Sequence, residues 1–288
     1  METIRIAGHG GLELAADIDG PETGAPVVLL HGGGQTRHAW SRAFRTMAGA
    51  GYRVLAYDAR GHGESAWDPD GDYTTDALVA DLRAVIATLG ATPALVGASM
   101  GGITSLAAIG ESDDAVAGAL VLVDVAPHIE REGVARIRRF MTARPDGFAN
   151  LDEVADAVAE YNPSRPRPKD PSGLMRNLRY GDDGRLYWHW DPKIISDRFD
   201  EHAAYLDTFE VRMAAAARRV RVPTMLVRGS ASNVVSPEGA ERLRELIPDA
   251  RIVDIEGAGH MVAGDRNDAF SQAALDFLDE VGGGARAP

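Results

Sequence analysis

The sequence predicts an α/β fold, a doubly wound and mostly parallel sheet with helices on both faces. Two observations lead there. Short apolar, β-branched runs recur along the chain, each followed by a helical pattern. The runs are continuous rather than alternating, which is what strands covered on both faces require. Strands alternating with helices imply right-handed crossovers between parallel neighbours.

Taken in order, the first twenty residues hold two looser, more alternating runs, which fit an antiparallel hairpin at the sheet edge. The strands expected after it are Pro26–Leu30, Arg53–Tyr57, Pro93–Val96, Ala119–Val123, Thr224–Val227 and Arg251–Ile255. The helices expected between and after them are His38–Ala48, Thr75–Leu89, Met100–Ile109, Pro237–Leu246 and Asn267–Val281. Thr74 or Thr75 offers an N-cap for the second helix, and Gly90 stands where a C′ glycine belongs. Pro237 suits the first turn of the fourth. Between about Pro127 and Val222 the pattern breaks. Helix-like segments near Val134–Ala143, Leu151–Tyr161 and Glu201–Arg218 surround the proline-rich Pro163–Pro171 and the aromatic run Tyr187-Trp188-His189-Trp190. So long a stretch without a clear strand is no loop, and an inserted, mostly helical cap accounts for it. The expected division is a core of 1–126 and 222–288, a cap of 127–221, and a frayed tail at 282–288.

Composition narrows the function classes. The 288 residues carry no cysteine, which excludes disulfides, thiolate metal sites and a cysteine nucleophile. The net charge of −13, spread along the chain, argues against nucleic acid or an anionic membrane as partner and leaves a small-molecule substrate. No stretch approaches the ~18 apolar residues of a membrane span, and no basic segment followed by an apolar one opens the chain. All but Lys169 and Lys193 of the 30 basic residues are arginine, as in a GC-rich genome. The expectation is a cytoplasmic bacterial protein. Oligomeric state is left open.

The strongest motif is Gly97-Ala98-Ser99-Met100-Gly101-Gly102, directly after one expected strand and opening a helix. It matches G-x-S-x-G, in which a serine sits on a sharp strand-to-helix turn and glycines relieve the crowding. A glycine-rich turn with an incidental serine is the competing reading, and the strand-before, helix-after setting decides against it. His31-Gly32-Gly33-Gly34-Gln35 ends the Pro26–Leu30 strand, where glycines let backbone N–H groups approach an oxyanion. The Gly33 and Met100 amides are the oxyanion-hole candidates, and His31 reads as a holder of the loop. Asp58–Ser65, reading DARGHGES, is taken as a hydrogen-bonded loop that shapes the site. His260, in Gly257-Ala258-Gly259-His260-Met261, falls on a glycine-rich loop at the carboxyl edge of the sheet, where ligands of open α/β sheets bind. It is the candidate general base. His, Asp and Glu are too scattered to propose a metal, and the Lys-Ser/Thr of a phosphate loop is missing after Gly32–Gly34. No cofactor is called for.

From HGGG through DARGHGES and GASMGG to the GAGH loop, the chain resembles the α/β-hydrolase fold superfamily. Within it, the likeness is to the capped group of cofactor-free haloperoxidases and esterases, C–C-bond hydrolases and epoxide hydrolases. The resemblance implies an eight-stranded sheet. Epoxide hydrolases carry Asp at the elbow, whereas Ser99 here points to acyl-transfer chemistry. The resemblance also places the catalytic acid after the strand that follows the cap, in a segment like G-x-x-S-D-x-V. This chain reads Gly229-Ser230-Ala231-Ser232-Asn233-Val234-Val235, with Asn233 in the aspartate's place. Asp124, where some members carry the acid, is the favoured candidate. Asn233, orienting His260 through its carbonyl oxygen, is the alternative, and Glu238 a remote one. By the same analogy Gly34 and the cap residues Phe140, Met141, Trp188, Trp190 and Phe199 line the pocket, and His189 could touch substrate. The implied activity is hydrolysis of a small apolar or aromatic ester, lactone or C–C bond by Ser99 and His260. The alternatives are a non-hydrolytic enzyme of the fold (lyase, cyclase or perhydrolase) or a weakened binding or signalling member.

Overall fold

Strand periodicity places the two halves of the core. Along each central strand alternate residues face opposite sides of the sheet, and here both sides are buried. In β3 (Pro26–Leu30), Val28 and Leu30 face one layer while Val27 and Leu29 face the other. In β6 (Ala119–Val123), Leu120 and Leu122 oppose Ala119, Val121 and Val123 in the same way. The computed structural model describes residues 1–163, 166–195, 203–262 and 267–282.

The remaining strands of the sheet are β1 (Glu2–Ala7), β2 (Glu13–Asp19), β4 (Arg53–Tyr57), β5 (Ala94–Ala98), β9 (Thr224–Gly229) and β10 (Arg251–Ile255). The eight lie in the order β1-β2-β4-β3-β5-β6-β9-β10. β1 and β2 form the expected antiparallel edge hairpin, β2 joins β4 antiparallel, and every later pairing is parallel. β5 starts after Pro93, which has no N–H to give the ladder.

Helices α2 (Thr75–Ala87), α3 (Met100–Gly110), α6 (Ala203–Arg219) and α7 (Pro237–Leu246) cover one face, with Leu82, Leu106, Met213 and Leu243 among their buried residues. α1 (Ser41–Gly49) and α8 (Asn267–Gly282) cover the other through Phe44, Met47, Phe270 and Phe277. The Thr74 hydroxyl accepts from the Ala77 amide and caps α2. Gly90 takes φ +65°, but only after a further tight turn beyond the helix end. The helix expected from His38 divides into a 3₁₀ turn, Arg37–Trp40, and α1.

The inserted stretch departs from expectation. α4 (Arg131–Thr142) and α5 (Leu151–Tyr161) are helical as read, but β7 (Leu178–Tyr180) and β8 (Leu186–Trp188) pair as an antiparallel hairpin. Strands of three residues are too short to show alternation, and the signal lay in the Asp183-Gly184 turn, where Gly184 adopts φ +78°. Packing also divides this stretch. Met141, Phe148, Val154, Leu178, Leu186, Trp188 and Trp190 form their own apolar cluster, whereas α6 lies on α3 and belongs to the sheet layers. Residues 283–288 of the expected tail lie outside the described residues. No described helix is long and apolar enough to cross a membrane.

Candidate active site

Five neighbouring parallel strands, β3, β5, β6, β9 and β10, carry the candidate residues at or just beyond their carboxyl ends. Ser99 stands between β5 and α3 with φ +45° and ψ −114°. The sharp turn demands small neighbours. A Cβ on Gly97 would run into the Gly101 backbone, and one on Gly101 into the Leu30 carbonyl. The loop after β3 lies directly against the elbow, since a Cβ on Gly32 would come 3.4 Å from that of Ser99. Among the described residues no acceptor meets the N–H of Gly33 or of Met100. The Gly34 N–H is used, donating to His62 Nε2 at 3.1 Å.

Asp124 directly follows β6, fully buried, with φ +49°. Its Oδ1 accepts from the Gly229 amide at 3.0 Å. Its Oδ2 accepts twice, from His260 Nδ1 at 2.7 Å and from the Ser232 hydroxyl at 2.6 Å. With Nδ1–H bonded to the carboxylate, the neutral imidazole keeps Nε2 as its acceptor. Ser99 and Asp124 are the two non-glycine residues with positive φ among those described. Such strain persists where the surroundings over-determine it and gathers at functional sites.

Asn233 is not brought to His260: it is exposed, and no hydrogen bond joins the two. Glu238 is exposed in the first turn of α7. The segment expected to supply the acid supplies a serine instead. Sequence reasoning passed over Ser232 because its role depends on where Asp124 stands, which only the β6–β9 pairing reveals.

Three buried histidines tie the loops around this centre. His31 donates from Nδ1 to the Gly32 carbonyl and accepts the Ala59 amide at Nε2, so it holds its loop as read. His62 bonds the Arg60 carbonyl through Nδ1 while taking the Gly34 amide. His189, from the cap, accepts the Gly63 amide at 2.7 Å. The expectation that His189 touches substrate is corrected, because it stands outside the cavity lining and its Nδ1 serves this backbone contact. Burial pushes all three imidazoles below their ordinary range, His62 far below and His189 to about 4. The DARGHGES loop is held as expected: Asp58 pairs with Arg37 and accepts the Glu64 amide. Gln35, not singled out beforehand, bonds the Gly32 amide through Oε1 and donates to Met261 Sδ, linking the two glycine loops.

A cavity of about 740 Å³ lies between the sheet edge and the inserted stretch. Gly33, Gly34, Ser99, Met100 and His260 line it from below, and Phe140, Met141, Trp188 and Trp190 from above. Trp188 and Trp190 stack at 4.9 Å with 11° between ring planes. Both are nearly buried, so they build the cap core and the wall at once. Phe199 lies outside the described residues. Among the described residues no three His, Asp or Glu gather to hold a metal ion.

A family model for the alpha/beta hydrolase fold matches residues 25–266. An esterase of Mycobacterium tuberculosis is 30% identical over 260 residues, covering 88% of this chain and 82% of its own. The 2-hydroxy-6-oxo-6-(2'-aminophenyl)hexa-2,4-dienoic acid hydrolase of Metapseudomonas resinovorans is 29% identical, covering 88% and 84%. Among solved structures, E-2-(acetamidomethylene)succinate hydrolase superposes with a TM-score of 0.83 at 23% identity, over 96% of this chain and 99% of that one. At that identity the likeness speaks for the fold.

Proposed function

The chain belongs to the α/β-hydrolase fold family, and on that premise we propose that it is a serine hydrolase of a small apolar or aromatic ester. The observation that carries this reading is the Asp124–His260 hydrogen bond of 2.7 Å, with His260 and Ser99 lining one cavity. That bond fixes the imidazole tautomer with Nε2 free to take a proton. His260 removes the Ser99 proton as Oγ attacks the ester carbonyl, and the Gly33 and Met100 amides receive the oxyanion. Collapse breaks the ester C–O bond, and His260 returns its proton to the departing alkoxide. Water then attacks the acyl-enzyme with His260 again as base, releasing the acid and restoring Ser99. The aromatic wall of Phe140, Trp188 and Trp190 supplies apolar contact for the acyl or alcohol group.

The reading as a weakened binding or signalling member drew on Asn233, and a carboxylate beside His260 removes that ground. The test is direct. Wild-type protein hydrolyses 4-nitrophenyl butyrate and is labelled on Ser99 by a fluorophosphonate probe. Ser99→Ala loses the label and about 10⁶-fold in kcat. Turnover retained in Ser99→Ala would exclude the covalent route.

A further inference from the structure

Asp124 is a fully buried carboxylate, and among the described residues no arginine or lysine pairs with it; its one ion-pair partner there is His260 itself. Its geometry therefore depends on neutral donors. The Gly229 amide holds Oδ1, and that contact alone is a pivot about which the carboxylate can swing. The second anchor is Ser232. Its Oγ accepts the Val234 amide at 3.1 Å and the Val235 amide at 3.2 Å. A hydroxyl has two lone pairs and one proton. With both lone pairs engaged by backbone donors, the proton has one direction left, toward Asp124 Oδ2 at 2.6 Å. This is the oxygen that receives His260 Nδ1–H.

We infer that Ser232 is a positioning residue, a hydroxyl whose donor direction is set by its own turn and which locks Asp124 in the rotamer that orients His260. The inference rests on the proposed serine-hydrolase reading. It also gives the segment Gly229–Val235 a task. Here the β9 loop does not carry the acid; it holds an acid that arrives from β6. Ser232 works through Asp124 and touches no substrate.

The experiment compares Ser232→Ala and Ser232→Thr with wild type in three measurements: kcat and KM on 4-nitrophenyl butyrate, thermal midpoint, and the downfield proton resonance of His260 Nδ1–H, assigned by its loss in Asp124→Asn. The expected result for Ser232→Ala is a kcat lower by about tenfold with KM unchanged, the weight of one hydrogen bond to a charged group, and a shifted Nδ1 proton. Ser232→Thr, which keeps the hydroxyl, returns both toward wild type. A Ser232→Ala enzyme with wild-type kcat and an unmoved resonance overturns the inference. So does a lowered midpoint with the resonance unmoved, since that assigns Ser232 to the turn alone. If wild-type protein neither turns over ester nor takes the fluorophosphonate label, the hydrolase reading fails by itself, and the resonance still decides whether Ser232 sets the Asp124–His260 contact.

Discussion

His260 Nδ1 lies 2.7 Å from Asp124 Oδ2, although 136 residues separate them in the chain. β6 and β9 are neighbours and β10 follows, so the β6 end and the loop after β10 converge on one point of the sheet edge. Replacing the acid by asparagine in a serine triad favours the wrong imidazole tautomer and costs about 10⁴ in kcat. Asp124→Asn is expected to lose that much on an ester substrate with little change in KM. Asn233→Ala and Asn233→Asp are expected to stay within about threefold of wild type, the range of surface changes away from such features. A large gain in Asn233→Asp would move the acid to the β9 loop.

The elements that could be read from the sequence were those whose signal is local. The strands Pro26–Leu30, Arg53–Tyr57, Ala119–Val123 and Arg251–Ile255 have the bounds expected from their apolar runs. The Ser99 elbow and the HGGG loop were legible because turn sterics write themselves as glycines. Asp124 was legible as the favoured acid only through the family resemblance, and its hydrogen bond to His260 agrees with that choice. Taken alone, an aspartate at a strand end looks like many others until strand order is known. Ser232 and His62 were not legible, because their partners come from other loops. The β7–β8 hairpin stayed hidden because each strand is three residues long.

Arg60, in the loop after β4, and Asp81 of α2 form a buried pair that also holds the edge-hairpin turn at His9. Arg60 bonds both Asp81 oxygens at 2.6 and 2.9 Å, and Asp81 also accepts the His9 amide. The two side chains are 2% and 1% exposed, so removing the carboxylate leaves a guanidinium stranded out of water. Breaking such a pair from one side costs about 3–5 kcal/mol. Asp81→Ala is expected to lose that stability in urea unfolding, while kcat of the folded enzyme holds. With Asp72 acting at longer range, Asp68, 3.4 Å from Arg60, remains to soften the loss. A change under about 1 kcal/mol would mean that the two compensate fully.

The histidine chain makes the fold acid-sensitive in a definite window. His31, His62 and His189 lie in sequence of contact, with ring centroids 5.0 and 5.9 Å apart, and each accepts a backbone amide that no protonated imidazole could accept at that nitrogen. Asp58 opposes the effect at His31 and His189, and Arg37 adds to it at His31, but burial is the largest influence on each. The unfolded chain titrates near a pKa of about 6.5, and the folded values are lower. Between the two the unfolded state binds more protons, so stability is full above about pH 6.5 and falls as pH drops toward the folded values. The slope is up to about 1.4 kcal/mol per pH unit for each histidine that titrates in this way. Protonated His62 would release the Gly34 amide and loosen the loop carrying Gly33, while protonated His189 would release the cap contact at the Gly63 amide. His62→Gln, whose amide oxygen can still accept from Gly34, is expected to flatten the decline in urea midpoint between pH 6.5 and 4.5 relative to wild type. An unchanged slope in this variant would place the acid sensitivity in other groups.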